Sequence, residues 1–171
     1  ALQSGAVDIV ESDHAPHTLD EKAKTYPSSP SGMPGVQTLL PVMLNHVHDG
    51  RLSLMRLVDL LAHGPQRVYG ICGKGRIAAG YDADFAIVDM NASRKITDRW
   101  IKSKCGWTPY DGMQVTGWCV GTILRGKVAM WDDEITLRHP AGLPVRFEET
   151  LLESIITGAE DVAAPAHTCC G

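Results

Sequence analysis

The fold is decided by residues 7–17, which read VDIVESDHAPH. Residues 7–12 form a short run rich in β-branched side chains, and such a run favours a buried β-strand. Pro16 prevents the strand from continuing, because its ring removes the backbone donor that a sheet ladder needs. The sequence therefore predicts a strand over residues 7–12 that ends in a functional turn at Asp13.

A loop and a helix follow this turn. Residues 26–35 are rich in serine, proline and glycine, a composition that predicts a loop. Apolar side chains then recur at helical spacing until Gly50, which ends the pattern. The predicted helix has a single apolar face, made by Val36, Leu39, Leu40, Met43, Leu44 and Val47.

Two further helical segments are predicted after Gly50. Ser53 is a suitable N-cap for a helix that carries Leu57, Val58, Leu60 and Leu61. Pro65 can open another short turn, because proline is tolerated at the first helical positions. We expect that turn to dock Val68 and Tyr69.

The character of the chain changes after Cys72. Strand-like segments lie at residues 76–78, 84–89 and 120–131. Turn chemistry separates them at residues 80–82, which read GYD, and at residues 125–127, which read RGK. This half is predicted to form a small β unit.

Composition and charge exclude several classes of protein. The 171 residues carry a formal net charge of -4, and their Lys and Arg residues are scattered. No basic stripe favours a nucleic acid or an anionic membrane, and no stretch approaches the roughly 18 apolar residues that span a bilayer. The five cysteines are odd in number and lack a CxxC pair, which favours reduced thiols in a cytoplasmic protein.

A strand followed by helices is typical of a βα unit from a parallel sheet. A complete (β/α)8 barrel needs about 250 residues, so the chain is too short to contain one. We therefore expect a truncated α/β chain. Residues 1–72 would provide the last strand, loop and helices of a barrel, residues 73–147 a small β domain, and residues 148–171 a partly disordered tail.

Asp13, His14 and His17 are the candidate chemical groups of the turn. A carboxylate at the carboxyl end of a barrel strand can bind a cation and transfer protons. The competing interpretation of Asp13 is an Asx-turn or a helix cap. An imidazole held on a stiff loop by Pro16 could bind an anion or a metal, or be an ordinary exposed histidine.

The segment SGMPG at residues 31–35 offers small side chains and bare backbone amides, which let a ligand approach closely. A plain connecting loop is the alternative. His46 and His48 are rejected as a metal pair, because positions two apart on a helix diverge and cannot converge on one ion.

The motifs resemble the dihydroorotase branch of the amidohydrolases. SDHAPH at residues 12–17, Glu21-Lys22 and PSGMPGVQT at residues 30–38 resemble the last barrel strand and the following loop of that family. Residues 73–89 and 103–112 look like later segments of the same family. The resemblance covers about residues 7–147.

The resemblance implies a fold, an activity and site residues. The fold would be the C-terminal part of a (β/α)8 metal-dependent hydrolase barrel, followed by a small β-sandwich-type domain. Dihydroorotases interconvert L-dihydroorotate and N-carbamoyl-L-aspartate in pyrimidine synthesis. Asp13 would be a metal ligand and the acid/base, His17 would bind the substrate carboxylate, and the Ser31-Gly32 backbone would contact the ring.

The resemblance also implies one or two zinc ions whose remaining ligands lie upstream of this segment. We therefore expect the chain to be inactive alone, because one carboxylate is too few for a catalytic zinc site. Implied partners are the small-molecule substrate, the missing N-terminal barrel segment, and a second copy of the chain or aspartate transcarbamoylase.

Two alternatives remain open. Allantoinases and dihydropyrimidinases or hydantoinases resemble the same region, but they usually have a different residue at the position of His17. A non-catalytic amidohydrolase-like scaffold is the alternative from another class, since most of the metal ligands are absent from this segment.

Overall fold

The computed structural model describes residues 1–139 and 141–148. Its helices are α1 Leu19–Lys22, α2 Leu39–His48, α3 Leu54–Val58 and α4 Gly64–Tyr69, with a π-helix Asp59–His63 between α3 and α4 and a 3-10 turn Asp98–Trp100. Its strands are β1 Phe85–Lys95, β2 Gln114–Leu124, β3 Lys127–Trp131 and β4 Glu134–Ile135. No helix among the described residues is long and apolar enough to cross a membrane.

Helix α2 and the start of α3 form within the predicted segments, but the prediction for Val36 is wrong: α2 begins only at Leu39, and Val36 is 63% exposed. Met43 and Leu44 are buried on α2, and the helix ends just before Gly50, whose φ is +70°. The Ser53 hydroxyl accepts a hydrogen bond from the Arg56 N–H at 3.2 Å, which is the predicted N-cap contact.

The prediction for Val68 and Tyr69 is wrong. Pro65 does lie in the first turn of α4, but Val68 and Tyr69 are 55% and 57% exposed. The helix is buried at Gly64 instead, where an added Cβ would overlap the main chain of Asp8. The contact is therefore made at the beginning of the helix and not at its last turn.

Two predicted strands are absent. Residues 7–12 have no regular secondary structure, because no described neighbour forms a ladder with them, and only an isolated parallel bridge joins His14 to Met33. Residues 76–78 lie among bends that follow Gly73 and Gly75, at φ +67° and +84°. Left-handed glycines turn the chain too sharply for a strand.

The four strands form one sheet in the order β1-β2-β3-β4. Strands β2 and β3 are antiparallel, with Leu124 opposite Lys127. Arg125 and Gly126 connect them at φ +50° and +77°, the left-handed pair that a tight hairpin requires. The turn predicted at residues 125–127 is confirmed, and β1 continues beyond the predicted segment as far as Lys95.

The described residues divide into two compact units. One unit contains Ala1–Ile9, Val58–Ile87 and the described residues from Val120 onward, with Leu60 and Cys72 buried. The other contains Val10–Leu57 and Val88–Cys119, with a core of Met43, Leu44, Leu52, Leu57, Ile96, Val115 and Trp118. All the candidate site residues belong to the second unit. The predicted domain limit at residue 72 stays a prediction, and all but residue 148 of the predicted tail lies outside the described residues.

Candidate active site

Asp13 is in an uncommon backbone conformation. Its φ is +41°, in the left-handed region that costs a non-glycine residue roughly 1 kcal/mol. The N–H of Asp13 donates to the Glu11 carboxylate at 2.6 Å, and this bond stabilises the turn. The side chain of Asp13 is exposed, and its oxygens accept no hydrogen bond from the described residues. Its carboxylate is therefore available to a ligand.

The turn after Asp13 is joined to residues 30–36, which we call the 30–36 loop. The Ala15 N–H donates to the Met33 carbonyl at 3.1 Å. The Nδ1 atom of His14 accepts the N–H groups of Gly35 and Val36 at 3.1 and 3.3 Å. Because Nδ1 is an acceptor, a neutral His14 carries its proton on Nε2.

Gly32 fits closely against this turn. Its φ is +97°, and an added Cβ would lie 2.6 Å from the Cβ of Ala15. Only glycine permits both the backbone conformation and the approach. The structure thus places Gly32 against the residue midway between Asp13 and His17, while the neighbouring Ser31 is exposed.

Lys22 holds the other end of the 30–36 loop. Its ammonium donates to the carbonyl oxygens of Pro30 at 2.7 Å and Gly32 at 3.1 Å. The Ser29 hydroxyl donates to the carbonyl of Lys22 itself at 3.0 Å. These bonds tie the loop to the end of α1.

His17 is fixed through its main chain and its side chain. The indole N–H of Trp107 donates to the His17 carbonyl at 2.7 Å. The imidazole Nδ1 lies 3.5 Å from the Glu21 carboxylate, and the His17 side chain is about one third exposed. Thr18 and Glu21 form a capping box at the start of α1. Its hydrogen bonds lower the pKa of Glu21, and the bond with the Thr18 backbone N–H has a larger effect than the bond with the Thr18 hydroxyl.

A model of the amidohydrolase family matches residues 1–129. The chain belongs to this family. The match includes the Asp13 turn, the 30–36 loop and most of the sheet.

Curated relatives of this amidohydrolase chain include two archaeal dihydroorotases. It is 44% identical over 133 residues to the dihydroorotase of Halobacterium salinarum, a match that covers 78% of the chain and 31% of the relative. It is 43% identical over 129 residues to that of Pyrococcus abyssi, covering 75% of the chain and 31% of the relative. The chain thus spans about a third of the length of these relatives.

Solved structures of similar fold include hydantoinases. The L-hydantoinase (dihydropyrimidinase) of Arthrobacter aurescens has a TM-score of 0.76 and 35% identity, over 80% of this chain and 31% of the other. A D-hydantoinase structure has a TM-score of 0.73 and 32% identity, over 79% of this chain and 31% of the other.

The donor set of the amidohydrolase chain does not by itself fit a zinc ion. Among residues 1–139 and 141–148, no three His, Cys, Asp or Glu side chains stand close enough to hold a metal. A catalytic zinc site normally has three protein ligands. Asp13 alone could contribute one.

A cavity of about 260 Å³ lies between residues 10–12, Met33, α2 and Tyr110. None of Asp13, His17, Ser31 and Gly32 lines it. The Nδ1 atom of His46 is buried without a hydrogen-bond partner in the described part of the chain. His46 lines this cavity, whereas Asp13 does not.

Sequence reasoning missed two contributors to the site. In the sequence, Lys22 stands out only as part of a family motif, and Trp107 only as one of residues 103–112, which resemble a later family segment. Both act on main-chain carbonyl groups, at sequence separations of 8 to 90 residues. The spacing of Lys22 after the turn was the only signal, and none marked Trp107.

Proposed function

We propose that this chain provides the substrate-contacting turn and loop of a zinc-dependent dihydroorotase. The observation that carries the proposal is the exposed Asp13 carboxylate in a strained turn, with Gly32 held against that turn. The dihydroorotase relatives support it, because they contain a similar segment within longer chains. The zinc would bind Asp13 together with ligands from outside the described residues.

Asp13 would transfer the proton in this reaction. Hydrolysis of dihydroorotate breaks a ring carbon–nitrogen bond, adds hydroxyl to the carbonyl carbon and adds hydrogen to the leaving nitrogen. A carboxylate that accepts no hydrogen bond from the described residues can take the proton from the attacking water and transfer it to that nitrogen. When bound, the metal supplies polarisation of the substrate carbonyl.

His17 and the 30–36 loop would bind the substrate. The main chain of His17 is fixed by Trp107, while its imidazole stays partly exposed beside Glu21. An imidazole held in this way can donate a hydrogen bond to the ring carboxylate. The exposure of Ser31 and the close approach of Gly32 to the turn favour contact with a flat ring.

Hydantoinase or dihydropyrimidinase activity is the second candidate, since the solved structures named above carry those names. The two candidates differ in the substrate carboxylate. Dihydroorotate has one and dihydrouracil does not, so a residue that binds the carboxylate should discriminate between them.

His17→Ala tests the proposal in the full-length protein. We expect the KM for dihydroorotate to rise about tenfold or more, since a charge-assisted hydrogen bond is lost. Dihydrouracil turnover should change little. The measurement is steady-state kinetics on both substrates, with His48→Ala, an exposed histidine at the end of α2, as the matched control.

Equal losses on both substrates would contradict the assignment of His17 to the carboxylate. Faster turnover of dihydrouracil than of dihydroorotate by the wild type would favour the hydantoinase alternative. No turnover of any cyclic amide by a protein that binds zinc would favour a scaffold.

A further inference from the structure

The 30–36 loop is held at both ends by side chains from the preceding turn and helix. At its end, His14 accepts two main-chain N–H groups. At its start, Lys22 donates to the carbonyl oxygens of Pro30 and Gly32. These two carbonyls belong to the residues on either side of Ser31, which itself makes no hydrogen bond within the described residues.

We infer that Lys22 is a positioning residue for substrate, acting by orienting the main-chain N–H of Ser31. The inference rests on the proposed function, since it names the side chain that orients the 30–36 loop toward the substrate ring. Lys22 itself would touch neither the substrate nor the metal.

The geometry of the peptide group carries this inference. The Pro30 carbonyl and the Ser31 N–H belong to one planar peptide unit, and in a trans unit they point in opposite directions. The cis bond of this region is at Tyr26-Pro27, so the unit between Pro30 and Ser31 is trans. When Lys22 draws the Pro30 carbonyl to itself at 2.7 Å, it directs the Ser31 N–H away from the ammonium.

Gly32 provides the second fixed point. Its φ of +97° reverses the chain, so that its carbonyl reaches the same ammonium at 3.1 Å. One cation thus holds the Pro30–Ser31 and Gly32–Met33 peptide units, on either side of the unit that joins Ser31 to Gly32. A neutral side chain of equal length could fill the space but could not set these orientations.

The backbone of Lys22 is itself held in place. It is the last residue of α1, whose first turn is closed by the reciprocal capping bonds of Thr18 and Glu21. Its carbonyl accepts the Ser29 hydroxyl at 3.0 Å. Lys24, two residues further on, is exposed and has no side-chain hydrogen bond in the described structure.

The test compares Lys22→Met with Lys24→Met in the full-length protein. Methionine keeps the apolar stem of Lys22 and removes its donors. We expect the KM for dihydroorotate to rise about tenfold with kcat within about threefold of the wild type, because bonds to charged donors are lost while the proton-transfer group is kept. Lys24→Met should behave as the wild type.

Amide hydrogen exchange gives a readout that does not depend on catalysis. The Ala15 N–H donates to the Met33 carbonyl, which follows the Gly32 carbonyl that Lys22 binds. Its exchange should be about tenfold faster in Lys22→Met than in Lys24→Met, since the loop opens more often. If Lys22→Met does not fold, Lys22→Arg is used. Arginine keeps the positive charge but places its hydrogen-bond donors differently, so the KM should rise by about threefold.

Each result decides the inference. Faster exchange with an unchanged KM would show that Lys22 only stabilises the loop, and it would overturn the positioning role. Unchanged exchange in Lys22→Met would overturn that role as well. A wild type that does not turn over dihydroorotate would refute the proposed function. Faster exchange confined to the Lys22 variants would then still support the orienting contact.

Discussion

The Asp13 turn and the charged cluster around Lys74 use lysine and aspartate in opposite ways. At the cluster, the Lys74 ammonium lies 2.9 Å from the Asp82 carboxylate and 2.5 Å from that of Asp84. Arg125 adds a contact to Asp82 at 3.1 Å. At the turn, the Lys22 ammonium donates only to main-chain carbonyl groups, and Asp13 stands without such a partner among the described residues.

The difference separates a structural use of charge from the functional one that we propose for Asp13. Carboxylates that are paired with cations are committed to the fold, and a ligand would have to displace those cations. A turn that is held through main-chain groups keeps its carboxylate free to bind and to transfer protons. Substitutions at the turn and at the charged cluster should therefore have different effects on activity and on stability.

Asp13→Asn should have the largest effect. The amide keeps the shape of the side chain but cannot accept and return a proton, so turnover of dihydroorotate should fall by about 10²-fold or more. The urea midpoint should stay close to that of the wild type, since the carboxylate makes no described hydrogen bond. Steady-state kinetics and urea unfolding of the full-length protein measure both. Asp20→Asn, an exposed neighbour on α1, is the matched control, and a similar loss there would remove the special role of Asp13.

The sequence marked the candidate groups of the turn more clearly than the contacts that hold them. Asp13, His17 and the Ser31-Gly32 segment are recognisable because proline and glycine mark the places where the backbone must bend. The contacts of Lys22 and Trp107 could not be predicted, because main-chain carbonyl groups exist at every residue and leave no pattern. Their partners are determined only by the folded chain.

The strands show the same limit. The hairpin at Arg125 and Gly126 was predictable, since its turn chemistry is local. The strand expected at residues 7–12 was not formed, because an apolar run becomes a strand only beside a pairing neighbour. Strand β1 was underestimated because its later residues are polar, although they alternate in exposure.

Gly32→Ala compared with Gly73→Ala should have the next largest effect. Both glycines have a positive φ, but an added Cβ at position 32 would meet Ala15 at 2.6 Å, whereas at position 73 it would meet nothing within 4 Å. We expect Gly32→Ala to displace the loop and raise the KM for dihydroorotate about tenfold. Gly73→Ala should cost about 1 kcal/mol of stability and leave KM unchanged. Kinetics and urea midpoints of the two variants test this, and equal KM values would show that the close approach of Gly32 has no part in binding.

The charged cluster should give the smallest effect, and its dependence on pH can be derived. Burial alone would raise the pKa of Asp84, but the hydrogen bonds from Lys74 and from the Arg125 N–H lower it below its ordinary value of 3.8. Burial alone would lower the pKa of Lys74, but the bonds to Asp84 and Asp82 raise it above 10.5. Both charged forms are therefore favoured by folding.

Lys74→Met should lower the free energy of unfolding by about 1–2 kcal/mol at pH 7, because two partly buried carboxylates lose a shared cation. A carboxyl group whose pKa is lowered by folding contributes its full stabilisation above the unfolded value near 3.8, and this is lost as the pH falls through the folded value. An ammonium whose pKa is raised contributes below about 10.5 and loses its contribution at higher pH. The difference in the free energy of unfolding between the wild type and Lys74→Met should therefore be constant between about pH 5 and pH 9, which lie inside these two limits. It should become smaller at about pH 3. Urea midpoints across this range measure it, with Lys127→Met, an exposed lysine on β3, as the control. A difference that persisted undiminished at pH 3 would mean that Lys74 stabilises the fold through its methylene groups and not through the two carboxylates.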